Sequence, residues 1–293
     1  MVLPPNHPFS DIAERKPPVS LALSRTLIVV PCFNEAERLP VHAFKAFAGA
    51  HPAVQFVLVD DGSRDGTRAL LEAIHEWRPR QFHVLPLECN GGKAEAVRRG
   101  ILHALEQEPD CVGFIDADLA TPLGEIPRLV DVLARRADVR IVVGSRLSLL
   151  GHAIRRKPLR RLLGRCFAAT ASRVLGLTIR DTQCGLKLFR GDERTRRLFA
   201  DPFQSRWIFD VEILARLIAF EGRAAATAQV YEAPLESWAD VGGSKVRPRD
   251  FVKAFGELAG IFARYRWRGG VAVPQESGND RDLTRRPPLR RAS

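Results

Sequence analysis

The segment Thr26-Leu-Ile-Val-Val-Pro31 is typical of a fully buried β-strand, because it is short, aliphatic and rich in β-branched side chains. A second segment of the same kind, Gln55-Phe-Val-Leu-Val-Asp60, follows a stretch that carries apolar side chains at Leu39, Phe44 and Phe47 with helical spacing. A strand, a helix and a second strand in this order predict the β-α-β unit of a parallel sheet.

Strand-like and helix-like segments continue to alternate up to residue 144. In chain order, we predict a helix over 68–77, a strand over 82–87, a helix over 94–105, a strand over 111–115, a helix over 126–133 and a strand over 140–144. This alternation predicts an α/β fold in which a mostly parallel sheet is flanked by helices on both faces.

The second half of the chain has a different order of elements. We predict a basic helix near 156–176, a strand over 184–189, a helix through 211–218, a strand around 225–231 and a helix over about 248–265. No linker rich in Pro, Gly or Ser separates the two halves, so residues 25–268 are predicted to form a single domain. The proline-rich segment 1–24 and the basic segment 269–293 are expected to be disordered tails.

Composition limits the kinds of protein that the chain can be. The five cysteines are scattered without metal-binding spacing, which favours a reduced cytoplasmic protein over a secreted one held by disulfides. We find no signal-peptide pattern, and no segment approaches the roughly 18 apolar residues that span a bilayer. The formal net charge of +11 calls for an anionic partner, which could be nucleic acid, an anionic lipid surface or a phosphorylated substrate.

Polar side chains follow each of the first five predicted strands. In sheets of this class, ligands bind beyond the carboxyl ends of the strands, so these residues are expected to share one edge. They are, in chain order, Asn34-Glu35, Asp60-Asp61-Gly62-Ser63, Asn90-Gly91-Gly92-Lys93, Asp116-Ala117-Asp118 and Ser145-Arg146.

The segment Asp116-Ala117-Asp118 is the strongest indication of chemistry. Two carboxylates one residue apart, just past a buried strand, can converge on Mg²⁺ or Mn²⁺, which take oxygen ligands and complete their coordination with water and substrate phosphates. Such an ion would neutralise a diphosphate leaving group. The alternative is that one aspartate caps the next helix, where Thr121-Pro122 forms a favourable N-cap and first turn.

Two other loops at this edge suggest contacts to a nucleotide. Asp61 could accept hydrogen bonds from a base or a ribose, whereas Asp65, which precedes Gly66-Thr67, is expected to be structural. The loop Asn90-Gly-Gly-Lys93 lacks the first glycine and the Ser or Thr of a Walker phosphate loop, which argues against a Walker-type ATPase. It either offers N–H groups and the Lys93 ammonium to a phosphate or sugar, or is a plain turn between strand and helix.

In order and spacing, these motifs resemble those of the inverting glycosyltransferases of the GT-A fold. The first half contributes Val29-Val-Pro-Cys-Phe-Asn-Glu35, Val59-Asp-Asp-Gly-Ser63, Asn90-Gly-Gly-Lys93, Asp116-Ala-Asp118 and Gly144-Ser-Arg146. Three further segments resemble the dolichyl-phosphate β-glucosyltransferases and related polyprenyl-phosphate sugar transferases, namely Asp181-Thr-Gln-Cys-Gly-Leu-Lys-Leu-Phe189, Arg206-Trp-Ile-Phe-Asp-Val-Glu212 and Gly243-Ser-Lys245. The likeness covers about residues 25–268 and implies a Rossmann-like GT-A domain with a C-terminal extension on the acceptor side.

The resemblance implies three groups of site residues. The nucleotide sugar would be held by Pro31, Phe33, Asn34, Glu35, Asp61, Ser63, Lys93 and Asp116. The Mg²⁺ or Mn²⁺ of the donor diphosphate would be bound by Asp116 and Asp118. The acceptor phosphate would be received by Arg146, Gln183, Lys187, Ser244 and Lys245, although a surface salt bridge is the alternative for each basic residue.

The activity that the resemblance implies is transfer of a sugar, with inversion, from a nucleotide diphosphate sugar to polyprenyl phosphate. The segment 181–189 favours UDP-glucose over GDP-mannose as donor. Ala120 stands where mannose-using relatives often carry a Gln as an additional metal ligand, and the chain lacks the N-terminal membrane helix of many eukaryotic relatives. Contact with the inner face of the membrane would therefore be peripheral, through basic or amphipathic surfaces at 155–157, 160–161 and 264–268.

Other functions share some of these features. A phosphate acceptor needs no strong base, whereas a hydroxyl acceptor would need one, for which Asp210 is the catalytic candidate unless it caps its helix. A transferase with a soluble acceptor would keep every donor motif, and an inactive sugar-nucleotide-binding protein would not need both Asp116 and Asp118. A nucleotidyltransferase would usually carry a glycine-rich basic loop at 32–35, and nucleic-acid binding is not expected because no aromatic platform is interleaved with the basic clusters.

Overall fold

The computed structural model describes residues 25–147, 149–155, 158–239 and 248–266, except for the side chains of 155, 158–163, 248–252 and 266. The predicted tails and the candidates Ser244 and Lys245 lie outside the described residues. Within these residues the strands are β1 (Thr26–Cys32), β2 (Val54–Asp60), β3 (Phe82–Pro86), β4 (Cys111–Phe114), β5 (Ile141–Ser145), β6 (Ala153–Arg155), β7 (Lys187–Arg190), β8 (Val230–Pro234) and β9 (Ser237–Ala239). The helices are α1 (Val41–Ala50), α2 (Thr67–Trp77), α3 (Lys93–Leu105), α4 (Glu125–Arg135), α5 (Pro158–Leu175), α6 (Glu193–Phe199), α7 (Phe209–Glu221), α8 (Arg223–Gln229) and α9 (Pro248–Arg266).

Seven of the described strands form one sheet in the order β3-β2-β1-β4-β7-β5-β8, and β6 and β9 pair as a separate ribbon. Neighbours in the larger sheet are parallel except for β7, which runs antiparallel to both β4 and β5. The predicted mostly parallel sheet is therefore confirmed. Because β4 and β5 both oppose β7, they run in the same direction as β1, β2 and β3. The carboxyl ends of these five strands thus lie at one edge, which we call the carboxyl edge.

The centre of the sheet is buried on both faces, as the continuous aliphatic runs predict. Along β1, Leu27 and Val29 belong to one apolar cluster, and Ile28 and Val30 belong to the other. The first cluster is completed by side chains of α3, α5, α7 and α9, and the second by side chains of α1, α2 and α4. Since apolar packing covers both faces of the sheet, the polar loops collect at the carboxyl edge.

The structure corrects three predicted features. Residues Arg223–Gln229 form helix α8, so the strand predicted around 225–231 begins only at Val230. The alanine-rich composition of this segment favours a helix, and Gly222 precedes it. The strand predicted from residue 184 begins at Lys187. Helix α4 begins at Glu125 after Gly124, so the Thr121-Pro122 pair does not cap it.

Candidate active site

The two aspartates after β4 lie in a tight turn at the carboxyl edge. The N–H of Leu119 donates to the Asp116 carbonyl at 3.2 Å, and the N–H of Ala120 donates to the Asp118 carboxylate at 3.1 Å. Leu119 has φ of 50°, in the left-handed region that bulky residues rarely enter, and its side chain packs against the second apolar cluster. Both aspartate side chains are partly exposed, so a ligand can reach them.

A lysine ammonium lies directly against this pair. Lys93, the first residue of α3, places Nζ 2.5 Å from Asp116 Oδ1, and about one third of each side chain is exposed (34% for both). Burial alone would lower the pKa of Lys93, but the nearby carboxylates of Asp116 and Asp210 outweigh it and raise that pKa. Burial raises the pKa of the Asp118 carboxyl, and the negative charge of Asp116 raises it further. The turn therefore concentrates negative charge that a cation would stabilise.

Gly185 leaves the space that the Asp116 carboxylate occupies. A Cβ atom at position 185 would lie 2.2 Å from Asp116 Oδ2 and 2.6 Å from Asp116 Cγ. Real Cβ atoms essentially never approach another atom this closely, so any side chain at 185 would have to displace the carboxylate. Glycine at this position thus allows the close approach of two loops with the Asp116 carboxylate in its present place.

The carboxylate of Asp61 holds the loop between β3 and α3. It accepts hydrogen bonds from the N–H groups of Gly91 at 2.8 Å and Gly92 at 2.9 Å, and from the Asn90 side-chain amide at 3.0 Å. Burial raises the pKa of the Asp61 carboxyl, although these backbone bonds and the charge of Arg206 act in the opposite direction. Asp61 is therefore bound to the loop for which the sequence offers phosphate or sugar binding as one of two alternatives.

Other candidates for nucleotide binding form a connected pair of loops after β1 and β2. The N–H of Asn34 donates to Ser63 Oγ at 3.1 Å, and Asn34 Oδ1 accepts from the N–H of Arg64 at 2.9 Å. The N–H of Glu35 donates to Thr67 Oγ1 at 2.8 Å. The remaining candidates of the first loop are Pro31 and Phe33, both partly exposed.

Asp65 ties the same loops to the start of α2. Its carboxylate accepts from the N–H groups of Thr67 at 2.9 Å and Ala36 at 3.3 Å. The hydrogen bond from the Thr67 hydroxyl is the largest of several effects that lower the pKa of the Asp65 carboxyl. These contacts give Asp65 a role in the loop structure.

Lys187 and Asp210 form a buried ion pair behind the turn that carries Asp116 and Asp118, which we call the carboxylate turn. Lys187 Nζ lies 2.6 Å from Asp210 Oδ1, and the two side chains are 1% and 7% exposed. The same ammonium donates to the Cys184 carbonyl at 2.7 Å and lies 5.5 Å from the centre of the Phe114 ring. Asp210 is the second residue of α7, and its N-cap is Ile208, so Asp210 does not cap the helix. A contact between Lys187 and an acceptor phosphate would have to disturb this pair.

Arg146 is likewise engaged by a carboxylate. Its Nε and a terminal guanidinium nitrogen donate to the two oxygens of Asp181 at 2.6 and 2.7 Å, and its backbone N–H donates to Asp181 at 3.0 Å. Burial alone would lower the pKa of Arg146, but the Asp181 charge outweighs it and raises that pKa. Trp238 covers the guanidinium at 5.3 Å. The salt bridge that the sequence left as an alternative is therefore present, and it is largely buried.

Two residues that organise this site, Glu232 and Arg206, are not among the predicted site residues, although Arg206 begins one of the segments quoted above. Glu232 accepts hydrogen bonds from Ser145 Oγ at 2.7 Å and from the N–H of Asp181 at 2.8 Å, which fixes the partner of Arg146. Arg206 donates to the carbonyls of Gly91 at 3.1 Å and Asn90 at 3.2 Å and so holds the loop bound by Asp61. These contacts join segments that are distant in the chain. Gln183 is partly exposed between Asp181 and Cys184.

The donor atoms of Asp116 and Asp118 fit a divalent cation. Mg²⁺ and Mn²⁺ prefer carboxylate oxygens and commonly take only one or two from the protein, with substrate phosphates and water as the other ligands. Among the described residues no group of three or more His, Cys, Asp or Glu side chains is arranged to enclose an ion. Asp116 already attracts the positive charge of Lys93, so the position is suited to a cation.

Comparison with known proteins gives the family. Residues 27–193, more than half of the chain, match the family model described as Glycosyl transferase family 2. The dolichyl-phosphate beta-glucosyltransferase of Dictyostelium discoideum is 32% identical over 83% of this chain and 74% of its own length. The enzyme of the same description from Homo sapiens is 31% identical over 75% and 69%. A polyprenol monophosphomannose synthase of Mycolicibacterium smegmatis is 33% identical over 66% and 72%.

Solved structures agree on the fold. Glucosyl-3-phosphoglycerate synthase from Mycobacterium tuberculosis, in complex with Mn²⁺, UDP and glucosyl-3-phosphoglycerate, superposes with a TM-score of 0.57 at 19% identity over 86% of this chain and 82% of that one. The mannosyltransferase PcManGT from Pyrobaculum calidifontis, in complex with GDP-Man and Mn²⁺, gives a TM-score of 0.53 at 19% identity over 85% and 66%. The predicted GT-A fold is confirmed. By its sequence and its fold, the chain is a glycosyltransferase and belongs to glycosyl transferase family 2.

Proposed function

We propose that this glycosyltransferase moves glucose from UDP-glucose to a polyprenyl phosphate, with inversion and with Mg²⁺ or Mn²⁺ bound by Asp116 and Asp118. The observation that carries this proposal is the carboxylate turn beside the Lys93 ammonium at the carboxyl edge. Ligands of parallel α/β sheets bind at this edge, and a diphosphate donor needs its charge neutralised there. The relatives named above supply the class of acceptor.

The loops after the first three strands would hold the donor. Asn34, Glu35 and Ser63 lie on the joined loops after β1 and β2, together with Pro31 and Phe33. Asp61 fixes the backbone N–H groups of Gly91 and Gly92, so it would shape the nucleotide site from behind. This arrangement leaves Lys93 at the start of α3, where an ammonium and a helix N-terminus both favour a phosphate.

The chemistry that the bound ion would supply is neutralisation of the departing nucleoside diphosphate. Asp116 and Asp118 would hold the donor diphosphate in place through it, and Lys93 would add a positive charge beside it. Positioning and electrostatics then account for most of the rate, because a phosphate acceptor is already anionic near neutral pH. Asp210 is bound to Lys187 and therefore poorly placed to take a proton, which favours a phosphate over a hydroxyl acceptor.

The acceptor phosphate would approach the residues after β5 and those that lead into the start of β7. We propose Arg146, Gln183 and Lys187 for this role, together with Ser244 and Lys245 from outside the described residues. Arg146 and Lys187 already pair with Asp181 and Asp210, so they would bind a phosphate by sharing or exchanging these partners. A guanidinium can do this, since it has five N–H donors and Asp181 uses two of them from the side chain.

UDP-glucose is preferred to GDP-mannose in this proposal. Curated relatives of both kinds are about equally similar to the chain, but those named for glucose match a larger share of it. Ala120 cannot add a metal ligand next to the aspartate pair. The transfer assay described below must therefore first identify the base and the sugar of the donor.

Peripheral contact with a membrane follows from a polyprenyl acceptor. Among the described residues, no helix is both long enough and apolar enough to cross a bilayer. Helix α9 carries apolar residues on one side, such as Ala254, Leu258 and Ile261, which pack in the first apolar cluster. The basic segments proposed for docking lie at 155–157, 160–161 and 264–268, largely outside the residues whose side chains are described.

The test is a transfer assay with purified protein and polyprenyl phosphate in phospholipid vesicles. We expect labelled sugar to enter the lipid fraction from UDP-glucose, far less from GDP-mannose, and only with Mg²⁺ or Mn²⁺. Asp118→Ala should abolish transfer, whereas Asp138→Ala, which removes an exposed carboxylate just before β5, should not. Transfer to a water-soluble acceptor without an isoprenyl chain, with none to polyprenyl phosphate, would refute the acceptor, and full turnover in chelator would refute the metal.

A further inference from the structure

A short turn at the carboxyl edge presents two leucines to solvent. The N–H of His152 donates to the Leu149 carbonyl at 3.1 Å, and Gly151 has φ of 82°, as a type II turn requires. Leu150 occupies the apex of the turn and is fully exposed, and Leu149 is 46% exposed. Leu150 is the most exposed large apolar side chain among the described residues.

The turn is held in place by the ribbon formed by β6 and β9. The His152 ring nitrogen Nδ1 lies 2.7 Å from the Leu235 carbonyl oxygen, and the N–H of Ala153 donates to the Glu236 carbonyl at 2.8 Å. Strand β6 then pairs with β9 from Ala153 to Arg155. Leu150 is therefore held at the surface by a hydrogen-bonded turn. Packing in the apolar core does not explain why a leucine occupies this position.

The ribbon joins this turn to the carboxylate turn at the carboxyl edge. The N–H of Ala239 in β9 donates to the Ala120 carbonyl at 3.1 Å, two residues after Asp118. The buried Glu125 carboxylate accepts from the N–H groups of Glu236 at 2.8 Å and Ser237 at 3.1 Å. The leucine turn and the carboxylate turn thus belong to one connected structure at the carboxyl edge.

The sequence after the turn is strongly basic. Residues 155–161 read Arg-Arg-Lys-Pro-Leu-Arg-Arg, with five positive charges and no acidic residue. Apolar residues followed by a cluster of Lys and Arg are the combination that binds an anionic lipid surface, because the apolar part enters the interface and the charges meet the headgroups. The net charge of +11 agrees with an anionic partner.

We propose that Leu149 and Leu150 insert into the headgroup region of an anionic bilayer and so turn the carboxyl edge toward the membrane. This inference rests on the proposed lipid acceptor, whose phosphate lies at headgroup depth. The turn would bring Asp116 and Asp118 to the surface where the acceptor is found. Leu150 acts as a positioning residue, since it touches lipid and not the reacting atoms.

The experiment measures vesicle binding and transfer for Leu150→Ser. Vesicles of phosphatidylcholine and phosphatidylglycerol, with and without polyprenyl phosphate, are sedimented with the wild type and the variant. Loss of one inserted leucine should weaken binding roughly tenfold or more. The apparent KM for polyprenyl phosphate in vesicles should rise by a similar factor. Transfer to a short-chain isoprenyl phosphate dissolved without vesicles should stay within about twofold of wild type, because no membrane is involved.

Phe220→Ser is the matched control. Phe220 is 44% exposed and lies beside Ile141, the first residue of β5, at the opposite edge of the sheet. The Phe220→Ser substitution removes a half-exposed aromatic side chain far from the turn and should leave vesicle binding and the apparent KM unchanged. Thermal unfolding of Leu150→Ser should match the wild type because Leu150 is fully exposed, whereas Phe220→Ser should lower the unfolding temperature because more than half of its side chain is buried.

Three results would overturn the inference. These are wild-type vesicle binding by Leu150→Ser, an equal loss in Phe220→Ser, or an equal loss with the dissolved acceptor, which would place Leu150 at the acceptor phosphate. Failure of the proposed function is a separate result. If the wild type binds vesicles through Leu150 but transfers no sugar to polyprenyl phosphate, the docking surface stands and the acceptor assignment falls.

Discussion

Gly185→Ala should damage the active site through a single contact. The three nearest atoms to the added methyl all belong to the Asp116 carboxylate, the closest being Oδ2 at 2.2 Å. Ordinary van der Waals contact begins near 3.4 Å, so the carboxylate must move by on the order of 1 Å. The backbone at position 185 is not in the left-handed region, and alanine is therefore tolerated by the main chain. The substitution moves a proposed metal ligand without emptying the core.

The expected size of the effect follows from this displacement. Misplacement of a reacting group by about 1 Å costs about a hundredfold in rate, equivalent to roughly 2.7 kcal/mol of transition-state stabilisation. Stability should change much less, because the Lys93–Asp116 pair that is disturbed is one-third exposed, and such a pair contributes about 1 kcal/mol or less. We therefore expect a large fall in kcat/KM with an unfolding free energy within about 1.5 kcal/mol of wild type.

The assay is steady-state transfer at saturating Mn²⁺ together with urea unfolding. Gly49→Ala is the matched control, because a Cβ there meets nothing within 4 Å and the position is exposed in α1. It should leave activity unchanged and stabilise the protein by up to about 1 kcal/mol. If the methyl at 185 acts through the carboxylate, Asp116→Ala with Gly185→Ala should be no worse than Asp116→Ala alone. Near wild-type turnover of Gly185→Ala, or additive losses in the double variant, would refute the reasoning.

Three further outcomes can be checked with the same assays. A chelator should abolish transfer, and Mg²⁺ or Mn²⁺ should restore it. Zn²⁺ should not restore it, because Asp116 and Asp118 offer only carboxylate oxygen. Turnover in excess chelator would contradict this prediction. Arg146→Ala should lower the unfolding free energy by about 3 kcal/mol, since it leaves the Asp181 carboxylate largely buried without its partner, and it should reduce acceptor use more than nucleotide affinity in calorimetry. Arg146→Lys should recover only part of both, and equal losses for donor and acceptor would instead place the guanidinium on the donor diphosphate. Lys187→Met should destabilise the protein by about 3–5 kcal/mol in urea unfolding, because Asp210 keeps a buried charge; a change below about 1 kcal/mol would show that the pair is not maintained in solution.

The central sheet could be predicted because its signals are local and strong. Apolar, β-branched runs in β1 and β2 exclude most alternatives, and the polar residues that follow β1, β2 and β4 mark the edge. The ribbon of β6 and β9 could not be predicted, since each strand has three residues, too few to show a period, and their pairing joins distant segments. The sequence predicts a strand where part of helix α8 lies, because short runs of small apolar residues fit a strand or a helix equally well, although alanine content favours the helix.

The site divides in the same way. Asp116 and Asp118 could be predicted as a pair, because two carboxylates one residue apart after a buried strand carry their geometry in the sequence. The partners of Arg146 and Lys187 could not, because Asp181 and Asp210 reach them only through tertiary structure. The sequence shows that a basic side chain is present. It does not show whether a carboxylate already neutralises the charge of that side chain.

This pairing of charges gives a physical reason for the metal requirement proposed above. Three cations at or behind the carboxyl edge, those of Lys93, Arg146 and Lys187, each have a carboxylate partner within 2.6 Å. The leaving nucleoside diphosphate would add negative charge beside these three cations, each of which is already paired with a carboxylate. A divalent ion on Asp116 and Asp118 would supply the missing positive charge, and it would also release the Lys93 ammonium toward a phosphate oxygen. An enzyme that bound the diphosphate with lysine and arginine alone would need basic side chains without acidic partners. The chelator experiment therefore tests whether a metal ion, and not these side chains, neutralises the diphosphate at the carboxyl edge.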